Sequence, residues 1–177
     1  MARVLNASDE LGMVVIVGYF YFGQDQHLND EAAVVHATDV ATHWLLEGDW
    51  QNVLVEVNNE TNVSAYDHDI LKPNRIHELI DRVAHTELDH RRLLVGTSYG
   101  GGAIPQENVV RSSDFLLMHG NGVKEPARIT EMIEKARSVR GYRPMPILFN
   151  EDDHERFDQP SNNFSAAVAA HVSWGWF

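Results

Sequence analysis

Cysteine is absent from this 177-residue chain, which excludes disulfides, thiolate catalysis and Cys-based zinc sites. Positive charge is scarce. Fourteen Lys and Arg stand against 26 Asp and Glu, for a formal charge of -12 with no basic stripe, so neither nucleic acid nor an anionic membrane is expected as a partner. Long apolar runs are lacking as well: residues 1–12 carry no charged-then-apolar signal pattern, and the run at 13–22 is too short to span a bilayer. A soluble protein is expected, and its localisation stays open. Histidine is plentiful, at ten residues, but neither His-x-His nor His-Glu-x-x-His spacing occurs, so no metal and no cofactor are expected. The hydrophobic fraction of 44% with 23% charged residues suits one globular domain with a real core.

Short apolar, β-branched runs alternate with amphipathic segments of helical period, the pattern of βα units that feed a parallel sheet. Six such runs occur, at 13–22, 53–57, 92–96, 115–118, 145–149 and 172–177. Helices are predicted from Asn29 or Asp30 to Gly48, from Pro73 with Ile76, Leu79, Ile80 and Val83 inward, and from Pro126 with Ile129, Met132, Ile133 and Ala136 inward. A fourth, capped by Ser161 or Asn162, carries Phe164, Ala167 and Val168, whereas 100–111 is too broken by Gly and Pro for a full helix.

In parallel βα architectures ligands bind at the carboxyl ends of the strands, and the reactive residues collect there. The runs lead into Asp25 and His27; Asn59 and Glu60; Ser98 and Tyr99; His119 and Asn121; Asn150, Glu151, Asp152 and Asp153; and Trp174 and Trp176. Alternation along 53–60 puts Leu54, Glu56 and Asn58 on one face and three valines on the other.

The segment Glu56-Val57-Asn58-Asn59-Glu60-Thr61-Asn62 resembles the Asn-Glu signature of the clan A retaining glycoside hydrolases, the cellulase-like (β/α)8 barrels. There the Glu closes the fourth strand as acid/base; Thr61 stands where that family commonly has Pro. Pro146-Ile147-Leu148-Phe149-Asn150-Glu151 is similar to the clan's seventh strand, which ends in the nucleophilic Glu. The resemblance implies a TIM-barrel-like α/β fold with strands three to eight of eight, so that residues 1–177 form a single partial barrel. It implies an oligo- or polysaccharide substrate, with Glu60 and Glu151 catalytic. Asn59, Tyr99, His119, Asn121, Asn150, Trp174 and Trp176 would contact the sugar. Glycoside cleavage needs one protonated and one ionised carboxyl flanking the bond, about 5 Å apart for retention and about 6.5 to 9.5 Å for inversion.

Six strands leave two edges that invite pairing, so homo-oligomers joined through open barrel edges are expected. A partial barrel that binds sugar without turnover, or completes itself by oligomerising, is the alternative. A second alternative is a serine esterase: Gly96-Thr97-Ser98-Tyr99-Gly100 satisfies G-x-S-x-G, although a nucleophile elbow passes straight into a helix and Gly101, Gly102 and Pro105 oppose one. Asp152 and Asp153 read as subsite groups or solvated loop acids, with the loop reading favoured.

Overall fold

The structure, a computed structural model, describes residues 1–176. Its strands are β1 (Val15–Phe20), β2 (Val53–Asn58), a small antiparallel hairpin of β3 (Glu87–Leu88) and β4 (Arg91–Arg92), β5 (Leu94–Gly96), β6 (Leu116–His119), β7 (Ile147–Glu151) and β8 (Ser173–Trp174). The helices are α1 (Ala2–Glu10), α2 (Glu31–Glu47), α3 (His77–Ala84), α4 (Glu107–Ser112), α5 (Pro126–Ser138) and α6 (Asn163–Ala169). All six sequence runs thus contain a parallel strand, although β8 is only two residues long and Phe177 lies outside the described residues.

β1, β2 and β5 form one parallel sheet and β6, β7 and β8 another. Asp114 stitches them together: its amide donates to Val95 O at 2.8 Å, while its carboxylate accepts from Val95 N at 3.0 Å and from both terminal nitrogens of Arg92. A Cβ at Gly96 would lie 2.6 Å from Phe115 O, so glycine is what lets the two sheets approach here. Among the described residues no closed barrel forms. Among them, β1, β5, β6 and β8 are each paired on one side only, with the Asp114 contacts bridging β5 and the chain entering β6.

The helices cover one face. Val17, Val53, Val55, Val57 and Val95 pack against Val34, Leu45 and Leu46 of α2 and Leu79, Ile80 and Val83 of α3. Leu116, Met118, Ile147 and Phe149 pack against Ile129, Met132, Ile133 and Ala136 of α5 and Ala167 of α6. The alternate residues look the other way and include Ile16, Leu54, Leu94 and Leu148, of which none is buried and Leu94 is 46% exposed. Parallel sheets are ordinarily covered on both faces.

Local signals explain most boundaries. The Asp30 side chain accepts from Ala33 N at 2.8 Å to start α2, Pro126 sits in the first turn of α5, and Asn162 with Ser165 forms a capping box for α6. α3 starts at His77 rather than Pro73, because residues 72–76 are held as a turn. The carbonyl before them, Leu71 O, is taken by Asn58 Nδ2 and Thr61 Oγ1. The stretch at 100–111 holds no helix until after Pro105, where the short six-residue α4 begins at Glu107. α1 buries Leu5 alone. In α6 only Ala167 of the expected trio is buried, and Phe164 instead joins an aromatic cluster with Phe157 and Trp174.

Candidate active site

Glu60 follows β2, His119 ends β6 and Glu151 ends β7, so three separate strand ends deliver the central groups. His119 is fully buried, and its Nδ1 lies 2.9 Å from Glu60 Oε1 and 3.5 Å from Glu151 Oε2. Nδ1 donates to Glu60 when that carboxyl is ionised and accepts from it when it is protonated. A carboxylate oxygen of Glu60, one of Glu151 and the His119 nitrogen all fall within 4.8 Å of one another. Asn121 Nδ2 donates to Glu151 Oε2 at 3.2 Å.

Glu60 has φ +48°, a left-handed conformation that costs a non-glycine residue roughly 1 to 2 kcal/mol and tends to persist at functional sites. Its amide donates to Ser98 Oγ at 2.8 Å. Ser98 is fully buried, and among the described residues no histidine hydrogen-bonds to its hydroxyl. That geometry does not suit a nucleophile elbow.

Glu56, four residues before Glu60 and facing the same side as Asn58, is 7% exposed, and its Oε1 has no hydrogen-bond partner. Burial pushes its carboxyl up to about 7; the neighbouring Ser98 hydroxyl works against this, and the negative charges of Glu151 and Glu60 add to it. Glu56 belongs to the site electrostatically, yet the sequence marks it only as a polar residue on an inward face.

The remaining expected contacts divide. Asn59 is buried beside Glu60, its carbonyl accepting from Tyr66 Oη at 2.5 Å. Asn150 is half-buried with its Oδ1 enclosed and unpartnered. Trp174 is half-buried, edge-on to Phe157 and Phe164 at 5.8 and 5.7 Å between ring centres. Tyr99 is not brought to the site: it is 2% exposed within the core under α2 and α3, where its hydroxyl accepts from Gln106 N. Trp176 is 67% exposed, past the end of β8.

Asp152 corrects the favoured loop reading. It is fully buried and accepts from Trp174 Nε1 at 2.9 Å, Asn163 Nδ2 at 2.9 Å and His154 N at 2.9 Å. It fixes the Trp174 indole and ties the segment after Glu151 to α6. Asp153 is exposed, and its carboxyl is held below the usual range first by the Gly122 amide.

Two groups have the composition of a cation site, Glu60 with His119 and Glu151, and Asp152 with Asp153 and His154. The second is already committed, since three donors occupy Asp152. In the first, His119 Nε2 is buried with no partner, whereas a metal-ligating imidazole almost always donates its other nitrogen to an acceptor. Neither set fits a metal well.

The chain matches no known protein family, and a search of curated proteins returns no match.

Proposed function

We propose that this chain is a glycoside hydrolase that cleaves O-glycosidic bonds of an oligo- or polysaccharide with retention. The observation that carries the reading is the pair of carboxyls on β2 and β7, with oxygens within 4.8 Å across His119. An approach that close is compatible with the roughly 5 Å of a retaining pair and is tighter than the 6.5 to 9.5 Å or so that leaves room for an inverting water. Glu151 attacks the anomeric carbon while Glu60 protonates the leaving oxygen; Glu60 then activates the water that releases the sugar. His119 holds Glu60 by a hydrogen bond and lies beside Glu151, Asn121 holds Glu151, and Trp174, locked by Asp152, offers an apolar face to the sugar ring.

In this reading the fold is the third to eighth strands of a (β/α)8 barrel, the helices forming its outer ring and Ile16, Leu54, Leu94 and Leu148 lining its interior. Support comes from two three-stranded parallel sheets, each in chain order, and from helices on one face only.

Leaving-group dependence tests the acid. Glu60→Gln is expected to lower kcat/KM on an unactivated disaccharide by about 10² to 10⁴-fold, and far less on a dinitrophenyl glycoside whose leaving group needs no proton. Equal losses on the two substrates would remove Glu60 from this role. The esterase alternative instead expects aryl-ester hydrolysis that depends on Ser98 and ignores both glutamates.

Self-association through the open edges is part of the same proposal. β1 leaves one side unpaired, and beside it runs an apolar groove of about 330 Å³ between β1 and α2, lined by Val17, Tyr19, Ala41 and Trp44 and containing neither glutamate. Unpaired strand edges and exposed apolar faces drive association. Light scattering at micromolar concentration is expected to give a dimer or larger. A strictly monomeric species that still cleaves glycosides would contradict this part alone, and an inactive monomer that binds oligosaccharide would favour the sugar-binding alternative.

A further inference from the structure

The Gly96-Thr97-Ser98-Tyr99-Gly100 sequence and the two glycines after it have no chemical part in the mechanism above, yet they lie between the two carboxyls. Ser98 takes both amides at the end of β2: Glu60 N donates to its Oγ at 2.8 Å and Thr61 N to its carbonyl at 3.0 Å. Asn62 Oδ1 closes the contact by accepting from Gly100 N at 2.7 Å. The Ser98 hydroxyl, having accepted from Glu60, also neighbours the Glu56 carboxyl.

The other end of the segment meets the end of β6. Gly102 N donates to His119 O at 3.0 Å, and Gly101 packs so tightly that a Cβ there would fall 2.1 Å from Asn121 O. Only glycine permits that approach. Asn121 in turn donates to Glu151.

We propose that Ser98 and Gly101 are positioning residues: Ser98 fixes the left-handed backbone of Glu60, and Gly101, through Asn121, fixes the carboxylate of Glu151, so the segment sets the spacing of the pair. The glycosidase reading is assumed for the kinetic part only. A nucleophilic serine would have to present its hydroxyl to substrate; this one is buried and already engaged with the residue it supports.

The test uses the full chain with Ser98→Ala, Ser98→Thr and Gly101→Ala, and reads both amide hydrogen exchange and steady-state kinetics on an aryl glycoside. Ser98→Ala is expected to speed exchange at the Glu60 amide about tenfold, the equivalent of one neutral hydrogen bond, with the Val55 and Val57 amides unchanged. kcat is expected to fall by about tenfold with KM within about twofold, the signature of a lost transition-state alignment. Ser98→Thr, which keeps the hydroxyl, is expected to restore Glu60 protection. Gly101→Ala is expected to lower kcat similarly while leaving the Glu60 amide protected, because it acts on the Glu151 side.

Unchanged Glu60 exchange in Ser98→Ala with β2 intact overturns the role of Ser98. Gly101→Ala with wild-type kcat overturns that of Gly101. If the exchange pattern is as expected but the wild type cleaves no glycoside, the Ser98 role stands and the glycosidase reading falls.

Discussion

Glu151→Gln is expected to lower kcat on an aryl glycoside by on the order of 10⁴-fold, the scale of removing a nucleophile whose partners stay in place. The substitution is nearly isosteric. Glu151 is half-buried at the end of β7, accepting from Asn121 Nδ2 and facing His119 Nδ1, and a glutamine oxygen can keep one of those contacts. An amide cannot form the glycosyl-enzyme ester, so the loss should fall on kcat even for substrates with excellent leaving groups. That separates it from Glu60→Gln, whose defect depends on the leaving group. Thermal unfolding measured alongside should change little, because the residue lies at a strand end and outside both apolar cores. If Glu151→Gln retained more than about a tenth of the activity on the aryl substrate, Glu151 would not be the nucleophile, and proximity to Glu60 would have to be explained in another way.

The clustering of Glu60, His119 and Glu151 was legible because each follows a short apolar run, and the carboxyl ends of parallel strands are where ligands sit. Glu60, His119 and Glu151 all occupy such ends. Tyr99 follows the same rule and fails it. Ser98 turns inward toward Glu60, and side-chain alternation then sends its neighbour Tyr99 outward into the helix-packed core. Trp176 fails because β8 ends two residues earlier, leaving nothing to hold it in the interior. The helices were legible wherever an apolar stripe coincided with a start signal, as at Asp30, Pro126 and Asn162. They were misjudged where long-range bonds intervened, as at Pro73, whose preceding carbonyl is claimed by Asn58 and Thr61.

Asp152 and Glu56 mark the real limit of the sequence. The partners that bury Asp152, Asn163 and Trp174, lie 11 and 22 residues away, so no local pattern separates it from the exposed Asp153. Glu56 is enclosed by neighbours on other strands: it pairs in register with Gly18 on β1 and Gly96 on β5, and its charge competes with those of Glu60 and Glu151. Glycine on either side removes the side chains that would flank the carboxyl on a filled sheet face. A carboxyl held among other carboxyls, one oxygen unpartnered, should leave a mark on stability.

Glu56→Gln is therefore expected to stabilise the protein more at pH 8 than at pH 4, by a difference of about 3 kcal/mol. In the fold Glu56 is pushed up to about 7 from an ordinary 4.5, so below pH 4.5 both folded and unfolded chains hold its proton and no penalty exists. Between pH 4.5 and 7 the unfolded chain releases the proton while the fold keeps it, and stability falls as pH rises. Above pH 7 both forms are ionised, and the fold carries the full cost of a desolvated charge beside two others. Glutamine is neutral throughout, so the variant lacks this fall. Groups remote from Glu56 contribute equally to both proteins and cancel in the comparison, whereas Glu60 and Glu151, whose charges act on Glu56, belong to the measured difference. Urea unfolding at the two pH values supplies the measurement, with ΔG extrapolated for each protein. A gap between variant and wild type that stays constant from pH 4 to pH 8 would mean that Glu56 ionises in the fold as easily as in the unfolded chain. The acidic floor beneath Glu60 and Glu151 would then not hold a proton at neutral pH.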